Sequence, residues 1–217
     1  MKKRYSLGME EDIVRHIFDI IGERSRFCIE FGACDGERFS NTRALVNSGW
    51  SFLWMDGSDH GNESVHKEFI TAENINNLLR KYDVPEEVDF ISIDIDGNDY
   101  WVWKSMTLKP RVVCIEYNPN FSATERRIMR YDPVYVHENN IDYSASYLPM
   151  VELGKKKGYT PIYESDYCNI IFIRNDSLGE GMNFIEFPIS HLLDKPVDFL
   201  PVQKPTFEEN YHLMEAV

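Results

Sequence analysis

The stretch FISIDIDGNDYWVW, residues 90–103, decides the fold. Phe90, Ile91, Ile93 and Ile95 form a short apolar run that, with Val88 and Asp89 before it, reads as a buried strand bounded by turn-forming residues. Asp94, Asp96 and Asp99 then crowd around Gly97, and NDYWVWKSM follows as a short helix. Upstream, RFCIEFG predicts a strand, ERFSNTRALVNSG a helix closed by Gly49, and WSFLWMDG a second strand. HKEFIT reads as a weaker strand, and AENINNLLRKYDV as a helix that Pro85 ends. Downstream come a strand in PRVVCIEYN, a helix in SASYLPMVELGKKKG ending at Gly158, and two late strands, YTPIYES and CNIIFIRND, which pair. Between Met9 and Ile21, apolar residues at helical spacing predict a first helix stopped by Gly22. Strands alternating with helices imply an α/β domain with a mainly parallel sheet.

The 217 residues suit one domain, with a core at 26–176, an insertion at 120–142 rich in Tyr, Asn, Arg and acids, and a proline-bearing C-terminal arm at 178–217. A formal charge of −13 argues against a protein that tracks a phosphate backbone, so no nucleic-acid partner is expected. Apolar runs are short and broken by charge, so no membrane span is expected. No apolar stretch follows the basic start MKKR, which leaves the cytoplasm as the default compartment. Cys28, Cys114 and Cys168 sit in apolar, strand-like contexts and read as small hydrophobes, while Cys34 lies in a loop. Cysteine and histidine spacing matches neither a zinc motif nor a disulfide framework.

In parallel sheets, ligands bind beyond the carboxyl ends of the strands, so polar residues there are informative. EFGACDG places Glu30, Gly32, Ala33, Asp35 and Gly36 at a strand-to-helix turn, and the next strand ends in Asp56 and Gly57. An acid at that spacing suits the two hydroxyls of a bound ribose. The loop lacks the GxGxxG of a dinucleotide fold, since Cys34 stands at the second glycine, and its acids would repel a pyrophosphate. S-adenosylmethionine, with a sulfonium and an ammonium and no phosphate, is compatible with such a loop. The alternative is that these glycines only make a tight turn.

These motifs together resemble the FkbM-type and related class I methyltransferases. The resemblance is carried by IEFGACDG, LWMDGSD, FITAENINNLL, VDFISIDIDGNDYWVW, RVVCIEYNPNF, YSASYLPMVELGKKKGY and CNIIFIRND, in that order. It implies a Rossmann-like class I methyltransferase sheet flanked by helices, S-adenosylmethionine as cofactor, and an oxygen on a sugar or natural product as acceptor. It also implies that residues 30–36 face the methionine portion, Asp56 the ribose, and residues 70–72, with Thr71 and Ala72, the adenine. The Asp96-Gly97-Asn98-Asp99 string departs from the commoner acidic-Gly-Ala-Glu pattern of that family.

Asp94 and Asp96 at one strand end, and Glu116 and Asn118 at the next, form a set of hard oxygen ligands suited to Mg²⁺ or Ca²⁺. The competing reading is that one acid caps the helix near Asp99 and the others are solvated. Asp94, Glu116 and His137, the last within the insertion, are the candidates for removing an acceptor proton. Tyr143, Ser144 and Ser146 are candidates for shaping the acceptor pocket. The expected activity is an S-adenosylmethionine-dependent O-methyltransferase acting on a small polar acceptor such as a sugar, a nucleotide-linked sugar or a glycan precursor. An NAD(P)-linked oxidoreductase or epimerase, and a non-catalytic partner subunit with the same fold, are the alternatives. A small-molecule acceptor is the expected partner, and a homo-oligomer is compatible with the sequence.

Overall fold

The computed structural model describes residues 3–138, 141, 143–165, 167–179 and 214–216. The expected C-terminal arm therefore lies outside the described residues, apart from its first two residues and three near its end. In order, the elements are α1 (Glu10–Ile21), β1 (Phe27–Phe31), α2 (Arg43–Asn47), β2 (Ser51–Asp56), β3 (Val65–Lys67), α3 (Ile75–Lys81), β4 (Phe90–Ile93) and α4 (Asp99–Ser105). There follow β5 (Val112–Glu116), β6 (Arg127–Met129), α5 (Tyr147–Lys157), β7 (Tyr159–Glu164), β8 (Asn169–Arg174), a 3₁₀ turn (Asn175–Ser177) and β9 (Met214–Ala216). No helix among the described residues is long and apolar enough to cross a membrane.

Seven strands form one sheet in the order β3-β2-β1-β4-β5-β8-β7. Pairing is parallel from β3 through β5, and β8 and β7 close the edge as an antiparallel hairpin. The chain runs outward from β1 to β3, then returns to the centre and runs the other way from β4. This is the Rossmann-like arrangement, whose ligand crevice lies where the direction reverses, between β1 and β4.

Helices cover both faces, which is why the central strands read as continuous apolar runs. Ile13, Val14, Ile17 and Phe18 of α1 pack with Leu45 on Cys28, Phe90, Val112 and Ile171. On the opposite face, Ile75 and Leu78 of α3, Trp103 of α4 and Met150 of α5 cover Ile29, Ile91, Val113 and Phe172. The 37–49 segment departs from its expected helix: only Arg43–Asn47 is helical. Ser40, Asn41 and Thr42 are instead drawn into hydrogen bonds with the buried Glu30 carboxylate, which holds the chain in an extended turn.

Two contacts anchor the centre of the sheet. At the amino ends of β4 and β5, the buried Arg111 donates to Asp89 at 2.8 Å and to the carbonyls of Gly22 and Ile21 that end α1. Asp89 also accepts the backbone N–H groups of Arg24 and Arg26. At the carboxyl ends, Gly32 has φ +75°, and a Cβ there would lie 1.6 Å from the carbonyl oxygen of Asp94. Only glycine lets the turn after β1 pass this close to the end of β4.

Gly32→Ala is expected to destabilise the fold by at least about 3 kcal/mol, a fall of roughly 10 °C in melting temperature by calorimetry. Gly61→Ala is the control: φ is +76°, nothing lies within 4 Å of the new Cβ, and the cost is expected to be about 1 kcal/mol.

Candidate active site at the switch point

Strand register determines which side chains meet at the crevice. Ile93 pairs with Ile115, so Asp94 and Glu116 follow side by side at the ends of β4 and β5. Glu116 pairs with Asn169 across the antiparallel β5–β8 ladder, which brings Cys168 to the same rim. One ligand atom each from Asp94, Glu116 and Cys168 lies within 4.8 Å of the others. They line a cleft of ≈ 720 Å³, within the range of small-molecule sites.

Of the residues expected at the site, Glu30, Gly32, Asp56, Gly57, Asp94, Asp96, Glu116 and His137 line this cleft. Ala33, Asp35, Gly36, Thr71, Ala72 and Asn118 are not among its lining. The Asp35 carboxylate turns back onto the backbone N–H groups of Glu37 and Arg38, which hold it below the usual carboxylate range. Thr71 N–H donates to Asn74 and Ala72 N–H to the Tyr131 hydroxyl. Their neighbours Phe69 and Ile70 supply the apolar wall beside Gly57 instead. The Asn118 amide donates to the carbonyls of Ile141 and Tyr143, and its oxygen accepts from Asn120, so it braces the insertion and not the rim.

Around β1 and β2, Asp56 holds the loop after β1. One oxygen accepts the Cys34 N–H at 2.8 Å, and the other accepts the Ser58 N–H and contacts the His60 ring at 3.2 Å. The second ring nitrogen of His60 lies 3.9 Å from the Cys34 sulfur. Cys34 itself has φ +50°, a left-handed conformation uncommon outside glycine.

Beyond β4, the Asp99 carboxylate folds back to accept the N–H groups of Ile95 and Gly97. It thus shapes the acidic turn and does not cap α4. A Cβ on Gly97 would meet the Tyr135 ring at 2.6 Å, so glycine lets the insertion lie on this turn. Tyr135 contacts His137 through its hydroxyl at 3.3 Å, and the His137 ring stands edge-on to Tyr143 at 5.3 Å. Tyr143, Ser144 and Ser146 do not line the cleft. The Ser144 hydroxyl donates to the Glu116 carbonyl, and the Ser146 hydroxyl donates to the Glu125 carbonyl and accepts the Arg127 N–H, tying the start of α5 to β6.

The electrostatics of the rim are one-sided. Asp94 and Glu116 are both pushed well above the usual carboxylate range, by burial first and then by neighbouring carboxylates. The Glu116 Oε2 is buried with no hydrogen-bond partner, as are the side-chain oxygens of Asn41, Asn98 and Asn169. All four residues line the cleft. The three amide nitrogens are already committed, to Ser92, to the Asp132 carbonyl and to Glu10, which fixes the oxygens as the free ends. The cleft thus offers acceptors in excess and calls for a ligand rich in donors or positive charge. Phe39, Phe69 and Val136 add an exposed apolar lip.

The sequence reading missed Asn41, His60, Cys168 and Asn169. Three polar residues in a row, Ser40-Asn41-Thr42, within a segment that otherwise reads as helix were a usable signal. Cys168 carried none, because YCNIIF looks apolar until β8 is placed against β5.

No protein-family model matches the chain, and no curated protein matches it. Among solved structures it is similar to the N-terminal domain of EvdMO1, crystallised in the presence of SAH and D-fucose. The two are 12% identical with a TM-score of 0.45, over 76% of this chain and 82% of that one. The fold assignment rests on the strand order above and not on this likeness.

Asp99 is pushed up to about 7 by burial, against the pull of its two backbone donors. Glu164, on β7, is pushed up to about 7 by burial, against the pull of the Tyr117 hydroxyl. Raised acids bind protons more tightly in the folded chain. Their contribution is complete below the unfolded value near about pH 4 and is lost as pH rises toward about 7. Melting temperature is therefore expected to fall between about pH 5 and pH 8, and Glu164→Gln to make that fall shallower in a pH series of thermal melts.

Proposed function

We infer that the chain is an S-adenosylmethionine-dependent O-methyltransferase of FkbM type, acting in the cytoplasm on a small hydroxylated acceptor such as a sugar or glycan precursor. The observation that carries this reading is the acceptor-rich, carboxylate-lined cleft at the switch point, with Phe69 and Ile70 as its apolar wall. It suits a ligand with an ammonium, a sulfonium, two ribose hydroxyls and a flat base. A dinucleotide would instead bring its pyrophosphate against Glu30, Asp56 and Asp94, with Arg38 as the cationic side chain among the lining. That charge pattern weighs against the NAD(P)-linked alternative.

When bound, S-adenosylmethionine supplies an electrophilic methyl carbon on a positively charged sulfur. Asp56, held by two backbone N–H groups, keeps lone pairs available for ribose hydroxyls. Gly32 lets the backbone approach, and Glu30, braced by Ser40, Asn41 and Thr42, keeps the loop in place behind it. Asp94 and Glu116 face the acceptor side. Either carboxylate would accept the proton of an acceptor hydroxyl placed beside it, and its raised proton affinity brings it closer to the working range of a general base. His137 lines the same side, positioned by Tyr135 and Tyr143.

Calorimetric titration is expected to detect S-adenosylmethionine binding and no NADH binding. Asp56→Ala is expected to weaken the former at least about tenfold, through the lost ribose contacts. Unchanged affinity in that variant would remove the cofactor assignment. Asp94→Asn is expected to lower turnover about 10²-fold or more while leaving the melting temperature equal or higher, since it removes a charge crowded by other carboxylates. A matching loss of activity and stability would instead mark Asp94 as structural.

A further inference from the structure

We propose that Asp94, Glu116 and Cys168 bind a divalent cation of the zinc class at the floor of the cleft. The three come from the ends of three adjacent strands, β4, β5 and β8, and their ligand atoms lie within 4.8 Å of one another. Ligand atoms at about 2.0–2.3 Å from a tetrahedral ion are about 3.3–3.8 Å apart, so rotations that draw these side chains together by up to about 1.5 Å close the set. Two independent observations point to a missing partner. The Glu116 Oε2 is buried without a hydrogen bond, and so is the Asn169 Oδ1 of its cross-strand neighbour. The buried Glu116 beside the half-buried Asp94 puts two carboxylates together, which is costly unless a cation joins them.

The thiol decides which cation. Carboxylates alone suit Mg²⁺ or Ca²⁺, the ions expected from Asp94, Asp96, Glu116 and Asn118. The Asn118 amide is spent on the insertion, Asp96 is exposed, and the third ligand is sulfur. A thiolate with two carboxylates favours zinc over the hard ions, and three protein ligands facing a cleft leave one position for water or an acceptor oxygen. Binding is accompanied by loss of the thiol proton to solvent. The inference does not depend on methyl transfer and is tested without a methyl donor.

The full chain, stripped with a chelator, is titrated with Co²⁺ as a spectroscopic stand-in and then with Zn²⁺. One ion per chain is expected, with a sulfur-to-cobalt charge-transfer band in the near ultraviolet that Zn²⁺ abolishes. Cys168→Ser is expected to lose the band and weaken Zn²⁺ binding at least tenfold, while Cys34→Ser retains both. In the unmodified protein, Zn²⁺ is expected to protect Cys168 from alkylation, read by peptide mass spectrometry, which requires no variant to fold. The proposal is overturned if Zn²⁺ leaves Cys168 alkylation unchanged, if the band follows Cys34 and its neighbour His60 instead, or if only Mg²⁺ or Ca²⁺ binds.

Discussion

The close approach of Gly32 to the Asp94 carbonyl is the constraint on which the site depends. It sets the distance between the turn after β1 and the end of β4, and every cleft residue is placed relative to those two elements. A side chain at position 32 would force the turn outward. The carboxylates of Asp56 and Asp94, which come from opposite sides of the switch point, would then no longer share one volume.

The central strands carry buried acids at both ends, and the two ends are treated in opposite ways. At the amino ends, Asp89 has Arg111 and two backbone donors, and Arg111 in turn has the end of α1 and the Ser177 hydroxyl. Charge and hydrogen bonding are satisfied there, and the cluster works as a clamp between helix and sheet. At the carboxyl ends, Asp94 and Glu116 lie among other carboxylates, and the Glu116 Oε2 has no hydrogen-bond partner among the described residues. Two carboxylate clusters at opposite ends of the same strands, of opposite completeness, separate structure from function. The complete one holds the fold, and the incomplete one is shaped for something that arrives.

Much of the architecture was legible because both faces of the sheet are covered. Full burial makes β1, β4, β5 and β8 read as unbroken apolar runs, and the turn residues between them mark their ends. The Asp56, Asp94 and Glu116 positions stood out because an acid at the end of an apolar run is unexpected for a strand that is only structural, and Glu30 because it interrupts one. Local readings failed where a distant partner intervened. Ser40–Thr42 read as helix, yet they serve Glu30, and Asn118 read as a ligand, yet it binds the insertion.

By itself the sequence determined the order of the elements of the main sheet, the α/β class and the row of polar strand ends, but not the β6–β9 pair, because hydrophobic periodicity and turn chemistry are local properties. Only the tertiary structure decided which of those polar groups meet. Strand order and register join residues far apart in the chain, and a shift of one residue would turn each side chain to the other face. That is how Cys168, unremarkable in its own segment, comes to stand beside Asp94 and Glu116.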